Sequence, residues 1–249
     1  MKSTTTKKTK KVRVIPGYHL TLGITVTMLS LIVLIPLASV LVYALRLSPS
    51  EFFRLITKPT VLHAFRTSIL CSLTAALVNC VFGTIIAWVL VKYDFPGKRI
   101  LDGFIELPFA LPTSVAGITL SKLYSENGFF GKPLAALSIK VAYTQLGLII
   151  ALIFIGIPFV IRAVRPAILT GFGLAFARRL GEYGSVIYIS GNSAKDQTQV
   201  ISYVIMQKLG YIDYASATAI ALVMLILSFA LLFAVNIVQM RQAARTNLI

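Results

Sequence analysis

The sequence predicts an all-α, polytopic membrane protein of about six transmembrane helices, with five as the lower count. Three observations predict it. Hydrophobic residues make up 57% of the 249 and charged residues only 13%, against about 25% in soluble domains, so too few charges remain to coat a globule. Mean hydropathy is +0.85. Twenty-four Lys and Arg against 8 Asp and Glu give a net charge of +16, and these basic residues collect between long apolar runs. No basic stripe interleaved with aromatics occurs outside the run ends, which argues against a nucleic-acid partner and for a lipid bilayer.

Taken in order, residues 1–20 form a basic N-terminal tail, residues 21–240 a transmembrane domain and residues 241–249 a short basic C-terminal tail. The tail carries Lys2, Lys7, Lys8, Lys10, Lys11 and Arg13 with no acid, and the positive-inside tendency holds it on the cytoplasmic side or its organelle equivalent. Thr21 to Leu45 is uncharged over 25 residues, enough to cross a ~30 Å hydrocarbon layer with tilt and too long for a cleaved signal. Thr67 to Val91, Val141 to Ile161 and Tyr214 to Met240 give three more such runs. Two weaker segments complete the six: Gly103 to Ser121, with Glu106 and two prolines, and Pro166 to Asn192, interrupted by Arg178, Arg179 and Glu182. With six spans the 24 basic residues divide 13 inside to 11 outside, so the orientation rests on the tail.

Cys71 and Cys80 stand nine positions apart in one run, about half a helical turn out of phase, and cannot bond each other. His19 and His63 are isolated, which leaves no metal cluster to assemble. No phosphate loop, H-E-x-x-H or G-x-S-x-G pattern occurs, so any energy-requiring work needs an ATPase on another chain.

Two stretches can carry chemistry. In Leu107 to Gly117, Pro108 and Pro112 each remove a backbone donor and obstruct the carbonyl one turn back. The helix there must break or bend, either as a packed kink or as irregular backbone lining a wet cavity that Thr113 and Ser114 face. The second stretch runs from Arg178 through Glu182, Tyr183, Gly184 and Ser185 to Asn192. At membrane depth its ionisable groups would each cost about 2.5–3.5 kcal/mol on insertion scales. Arg178 and Glu182, one turn apart, are therefore a candidate ion pair; in an exposed loop such charges are routine.

The run Gly181 to Asn192 (GEYGSVIYISGN), preceded by Leu169 to Arg178 (LTGFGLAFAR), resembles the permease subunits of sulfate/thiosulfate ABC importers, as do Leu107 to Gly117, Leu148 to Val160 and Asp213 to Ala219. The matches extend from about Thr67 to Gln239. Molybdate permeases, a second and related alternative, tend to differ at Tyr183, Ser185 and Val186. The resemblance implies a type I ABC importer permease fold in a bacterial inner membrane or a plastid membrane. It implies a second homologous permease subunit, two ATPase subunits carrying ATP and Mg, a separate sulfate-binding protein, no cofactor in this chain and transport by alternating access. Arg178, Glu182, Tyr183, Gly184, Ser185 and Asn192 would lie along the substrate path, with Pro108, Pro112, Thr113 and Ser114. One departure stands out: the cytoplasmic E-A-A loop that such permeases carry before the segment matching Leu169 to Ala177 is missing, since Ile161-Arg162-Ala163-Val164-Arg165 leads directly to Pro166. That departure keeps two further readings open, a passive anion channel and a decayed permease no longer coupled to an ATPase.

Overall fold

The computed structural model describes residues 18–161 and 168–246. Their order is α1 (Tyr18–Ala44), α2 (Pro49–Ile56), α3 (Pro59–Lys92), α4 (Lys98–Ala110), α5 (Thr113–Tyr124), α6 (Gly131–Ala136), α7 (Gln145–Ile161), α8 (Ile168–Leu180), α9 (Val186–Ile189), α10 (Ile201–Gly210) and α11 (Tyr214–Thr246). No strand occurs among the described residues.

Three helices are long and apolar enough to cross a bilayer alone: α1, α3 and α11. Side chains along α1 are apolar on every face, and the most apolar window buries none of them, as befits a helix solvated by lipid. It packs along α11, where Tyr43 and Tyr214 meet at 6.0 Å and Arg46 covers the Tyr43 ring at 4.2 Å. At the other end of α3, Trp88 meets Tyr93 edge-on at 5.6 Å. Such aromatic groups favour the two membrane–water boundaries.

The core is the seam of α3, α7 and α8. On α3 the buried positions Ala64, Ser68, Cys71, Ala75 and Asn79 recur every three to four residues and form one face. Against it α7 sets Leu148, Ala151, Leu152 and Ile155, all buried. Because lipid is as apolar as Leu, burial alone drives little helix association in a bilayer, and small residues with interhelical hydrogen bonds do more. Ala75, Ala76 and Ala151 supply close approach, and Asn79 Nδ2 donates to Ile153 O at 2.9 Å. A second cluster joins Phe65 and Ala76 of α3 to Phe176 and Leu180 of α8, Ile201 of α10 and Ile220 of α11.

The weaker segments depart from simple spans. Helix α4 ends at Ala110 and α5 leaves at 113° to it, so at most one of the two can follow the bilayer normal. The prolines are the cause. The described parts of α7 and α8 have 17 and 13 residues and border residues 162–167 on either side. Beyond α8 the chain continues as largely irregular backbone from Gly181 to Val200, with Glu182, Ser185, Ser190, Thr198 and Gln199 buried in protein. This is the one setting in which such backbone is tolerated at membrane depth. The junction where the E-A-A loop was expected, residues 162–167, lies outside the described residues.

Candidate functional site

The two stretches singled out in the sequence meet in space. Leu111 N makes the last bond of the α4 spiral, to Leu107 O at 3.0 Å, and Pro112 opens α5 with no side-chain cap. The leading N–H groups of α5 therefore leave the helix unpaired within it, at its positive end. Against that end lies Gly184. A methyl group there would strike Thr113 Oγ1 and would sit 3.2 Å from Ser114 N and Oγ. One turn along α5, a methyl on Gly117 would strike the carbonyl of Ser185. Glycine at both positions is what lets the helix end and the loop touch, and α5 packs along α9 as a result.

The loop is held from inside. Glu182 is buried, and its Oε1 accepts from Ser185 N and Ser185 Oγ at 3.3 Å each. Its carbonyl accepts from Ser202 Oγ at 2.7 Å. Tyr183 is half-buried and its carbonyl accepts Ile187 N at 3.0 Å. Asn192 has φ +47°, a left-handed conformation that Asn tolerates. Its amide is occupied at both ends, donating to Ile187 O at 2.7 Å and accepting from Ser190 Oγ at 2.8 Å. Tyr143 N closes the loop onto α9 through Ile189 O at 2.8 Å.

The candidate ion pair of Arg178 and Glu182 is not formed. Helix α8 ends at Leu180, so Glu182 no longer sits a helical turn above Arg178 and turns to Ser185 instead. Arg178 is exposed, with its guanidinium over the Phe159 ring at 5.4 Å, and Phe159 in turn meets Phe109 of α4 at 5.1 Å. Arg178 thus reaches the α4 side of the kink, while Gly184 and Ser185 touch its α5 side. Pro108 is buried in α4, and Thr113 and Ser114 are half-buried. All ten residues belong to one region, although Asn192 serves the loop's own shape.

Sequence reasoning missed Arg179, which is 3% exposed and donates through Nε to Leu152 O at 2.9 Å. Its guanidinium fills a notch at Gly156, where a methyl would strike it. Asn79 was missed too. The signals were a lone amide in an apolar 25-residue run and a glycine facing a doubled arginine.

The backbone defines the class of protein. It matches a bacterial ABC transporter involved in the import of the acidic polysaccharide alginate, with TM-score 0.69 over 90% of this chain and 96% of that one at 14% identity. A bacterial alginate ABC transporter in complex with an alginate pentasaccharide-bound periplasmic protein matches with TM-score 0.68, over 90% and 95% at 15% identity. The fold is that of these ABC importer chains, with helices long and apolar enough to cross a membrane.

In sequence, the chain is 39% identical to the sulfate transport system permease protein CysT of Escherichia coli (strain K12), over 94% of this chain and 96% of that one. It is 40% identical to a probable sulfate transport system permease protein of Nephroselmis olivacea, over 83% and 84%. The chain belongs to the sulfate transport system permease family. No protein-family model matches it. The E. coli match runs over 267 positions, more than the 249 residues of this whole chain, so about 33 positions fall opposite gaps here. The Nephroselmis olivacea match, 240 positions over 83% of the chain, leaves about 33 as well.

Proposed function

We propose that this chain is a membrane-spanning subunit of an ATP-driven importer of sulfate, with thiosulfate as a second oxyanion of the same class. The observation that carries the reading is 39% identity to a sulfate transport system permease over nearly the whole of both chains. Its partners are an ATPase, which supplies ATP and Mg, and a binding protein that delivers the anion. In the finer form, a second homologous permease and two ATPase subunits complete the assembly. Transport proceeds by alternating access in a bacterial inner membrane or a plastid membrane.

The kink and the loop fit the anion chemistry. The uncapped start of α5 offers backbone N–H donors with the positive end of a helix, and Arg178 adds an exposed cation on the α4 side of the kink. Hydrogen-bond donors of this kind hold a doubly charged oxyanion and release it. Glu182 holds the loop through Ser185, whose carbonyl lies against Gly117 of α5. The test is uptake of radiolabelled sulfate into proteoliposomes holding this chain with its permease, ATPase and binding-protein partners. Uptake that requires ATP and ignores competing molybdate is expected; molybdate uptake without sulfate uptake would reassign the substrate.

The roughly 33 gapped positions favour a second reading, a permease that no longer couples to ATP. The missing E-A-A loop between Ile161 and Pro166 is the place this reading gives to that loss. In this reading sulfate crosses down its own gradient, and ATPase subunits fail to co-purify. Inserting an E-A-A loop between Arg165 and Pro166 then restores both association and ATP dependence.

A further inference from the structure

Three buried polar side-chain atoms have no hydrogen-bond partner among the described residues: Nη1 and Nη2 of Arg179 and Oγ of Ser72. All belong to the α3–α7–α8 seam. Arg179 is anchored by Nε to Leu152 O. The terminal nitrogens of Arg179 lie at Gly156, one turn along α7 from Leu152.

What they lack is acceptors and negative charge. A buried guanidinium without a counter-charge is strongly disfavoured, the more so at membrane depth. Glu182, three residues on, is committed to Ser185, and no ion pair joins it to Arg179 among the described residues. Arg178 faces the Phe159 ring instead. A water molecule would satisfy the N–H groups and leave the charge. A tetrahedral oxyanion supplies both, since its paired oxygens match the two terminal nitrogens of a guanidinium.

We propose that the Arg179 guanidinium is an oxyanion-binding position within the seam, occupied by the transported anion when α7 and α8 part. The position is covered in this conformation: Arg179 is 3% exposed, and the Gly156 notch admits the guanidinium but no added methyl. It is distinct from the contact between Gly184 and α5, and it rests on the importer reading above. Arg179 is here a substrate contact as well as a clamp on Leu152.

The test pairs sulfate uptake in proteoliposomes of the assembled importer with equilibrium binding of radiolabelled sulfate to the same preparation. Arg179→Met is expected to raise KM for sulfate, and to weaken binding, about tenfold or more, the usual loss for a charge-assisted pair of hydrogen bonds. Arg179→Lys loses less. Gly156→Ala, which keeps the charge and displaces it, is expected to follow Arg179→Met and carries the test if that variant fails to accumulate. A purely structural role lowers the amount of active protein and leaves KM unchanged, so wild-type KM and binding in Gly156→Ala and in whichever Arg179 variants accumulate overturn the proposal. Wild-type protein that binds sulfate through Arg179 but does not transport it sinks the importer reading and keeps the site. Wild-type transport with unaffected variants does the reverse.

Discussion

Gly184 and Gly117 hold the kink against the loop for different reasons, and the difference can be measured. The obstacle to a methyl on Gly184 includes the hydroxyl of Thr113, while at Gly117 it is the backbone carbonyl of Ser185. Overpacking of this kind costs about 1–3 kcal/mol. Gly184→Ala is therefore expected to lower thermal stability in detergent and uptake together, and Thr113→Ala in the same chain to recover part of both. Gly117→Ala should be at least as damaging and gain nothing from Ser185→Ala, because truncating that side chain leaves the carbonyl in place. Equal rescue at both sites would mean that the contact is not as described. Arg178→Ala and Glu182→Ala are expected to lower sulfate uptake without preventing membrane insertion, and they separate by stability. Arg178 is exposed and its loss removes a ring contact, whereas Glu182→Ala frees the buried Ser185 N–H and hydroxyl, at about 1–3 kcal/mol.

Helix α2 illustrates how local signals fix an element outside the membrane. Ser48 and Glu51 close a capping box, with Ser48 N donating to Glu51 Oε2 at 2.9 Å and Glu51 N to Ser48 Oγ at 3.3 Å, and Pro49 follows the cap. The Ser48 hydroxyl, then its backbone N–H, hold the Glu51 carboxyl below its ordinary range. A carboxyl depressed in the folded state stabilises above its unfolded pKa, and the contribution fades as pH falls through the folded value. Amide protection of α2, corrected for intrinsic exchange, should thus weaken below about pH 4. Glu51→Gln keeps the box and should abolish that acid sensitivity. The membrane elements divide differently. Helices α1, α3 and α11 are legible as uncharged runs because lipid sorts side chains without reference to tertiary structure. The ends of α8 and the course of residues 181–200 are not, because their irregular backbone survives only under cover from α3, α5 and α7, and no local pattern encodes that cover. Pro108 and Pro112 announced the break between α4 and α5, but the 113° turn depends on what packs beside it.

The ten site residues were legible by type and by resemblance, whereas their assembly was not. Nothing in the spacing of Thr113 and Gly184 places them in contact across 71 positions. Arg179 escaped notice because an arginine beside another reads as surface charge until its burial is seen. The molecule's topology is more tightly constrained than the charge balance allows. Tyr43, in the last turn of α1, meets Tyr214, the first residue of α11. Since α1 and α11 also pack on each other, the two run antiparallel. Each is long enough to cross, so the chain enters α1 and leaves α11 on one side of the membrane, whichever way the broken pair α4–α5 and helices α7 and α8 divide the layer. An even number of crossings follows from that pairing; among the described residues three helices are long enough to cross alone and the broken pair offers a fourth span. A reporter fused after Ile249 and another placed before Tyr18 should read the same compartment, and the basic tail makes that compartment the cytoplasm or its plastid equivalent. A third reporter, set between Leu47 and Pro49, should read the opposite side. If the terminal reporters disagree while the middle one keeps its place, α11 does not lie antiparallel to α1, and the seam of α3, α7 and α8 must be closed by some other helix.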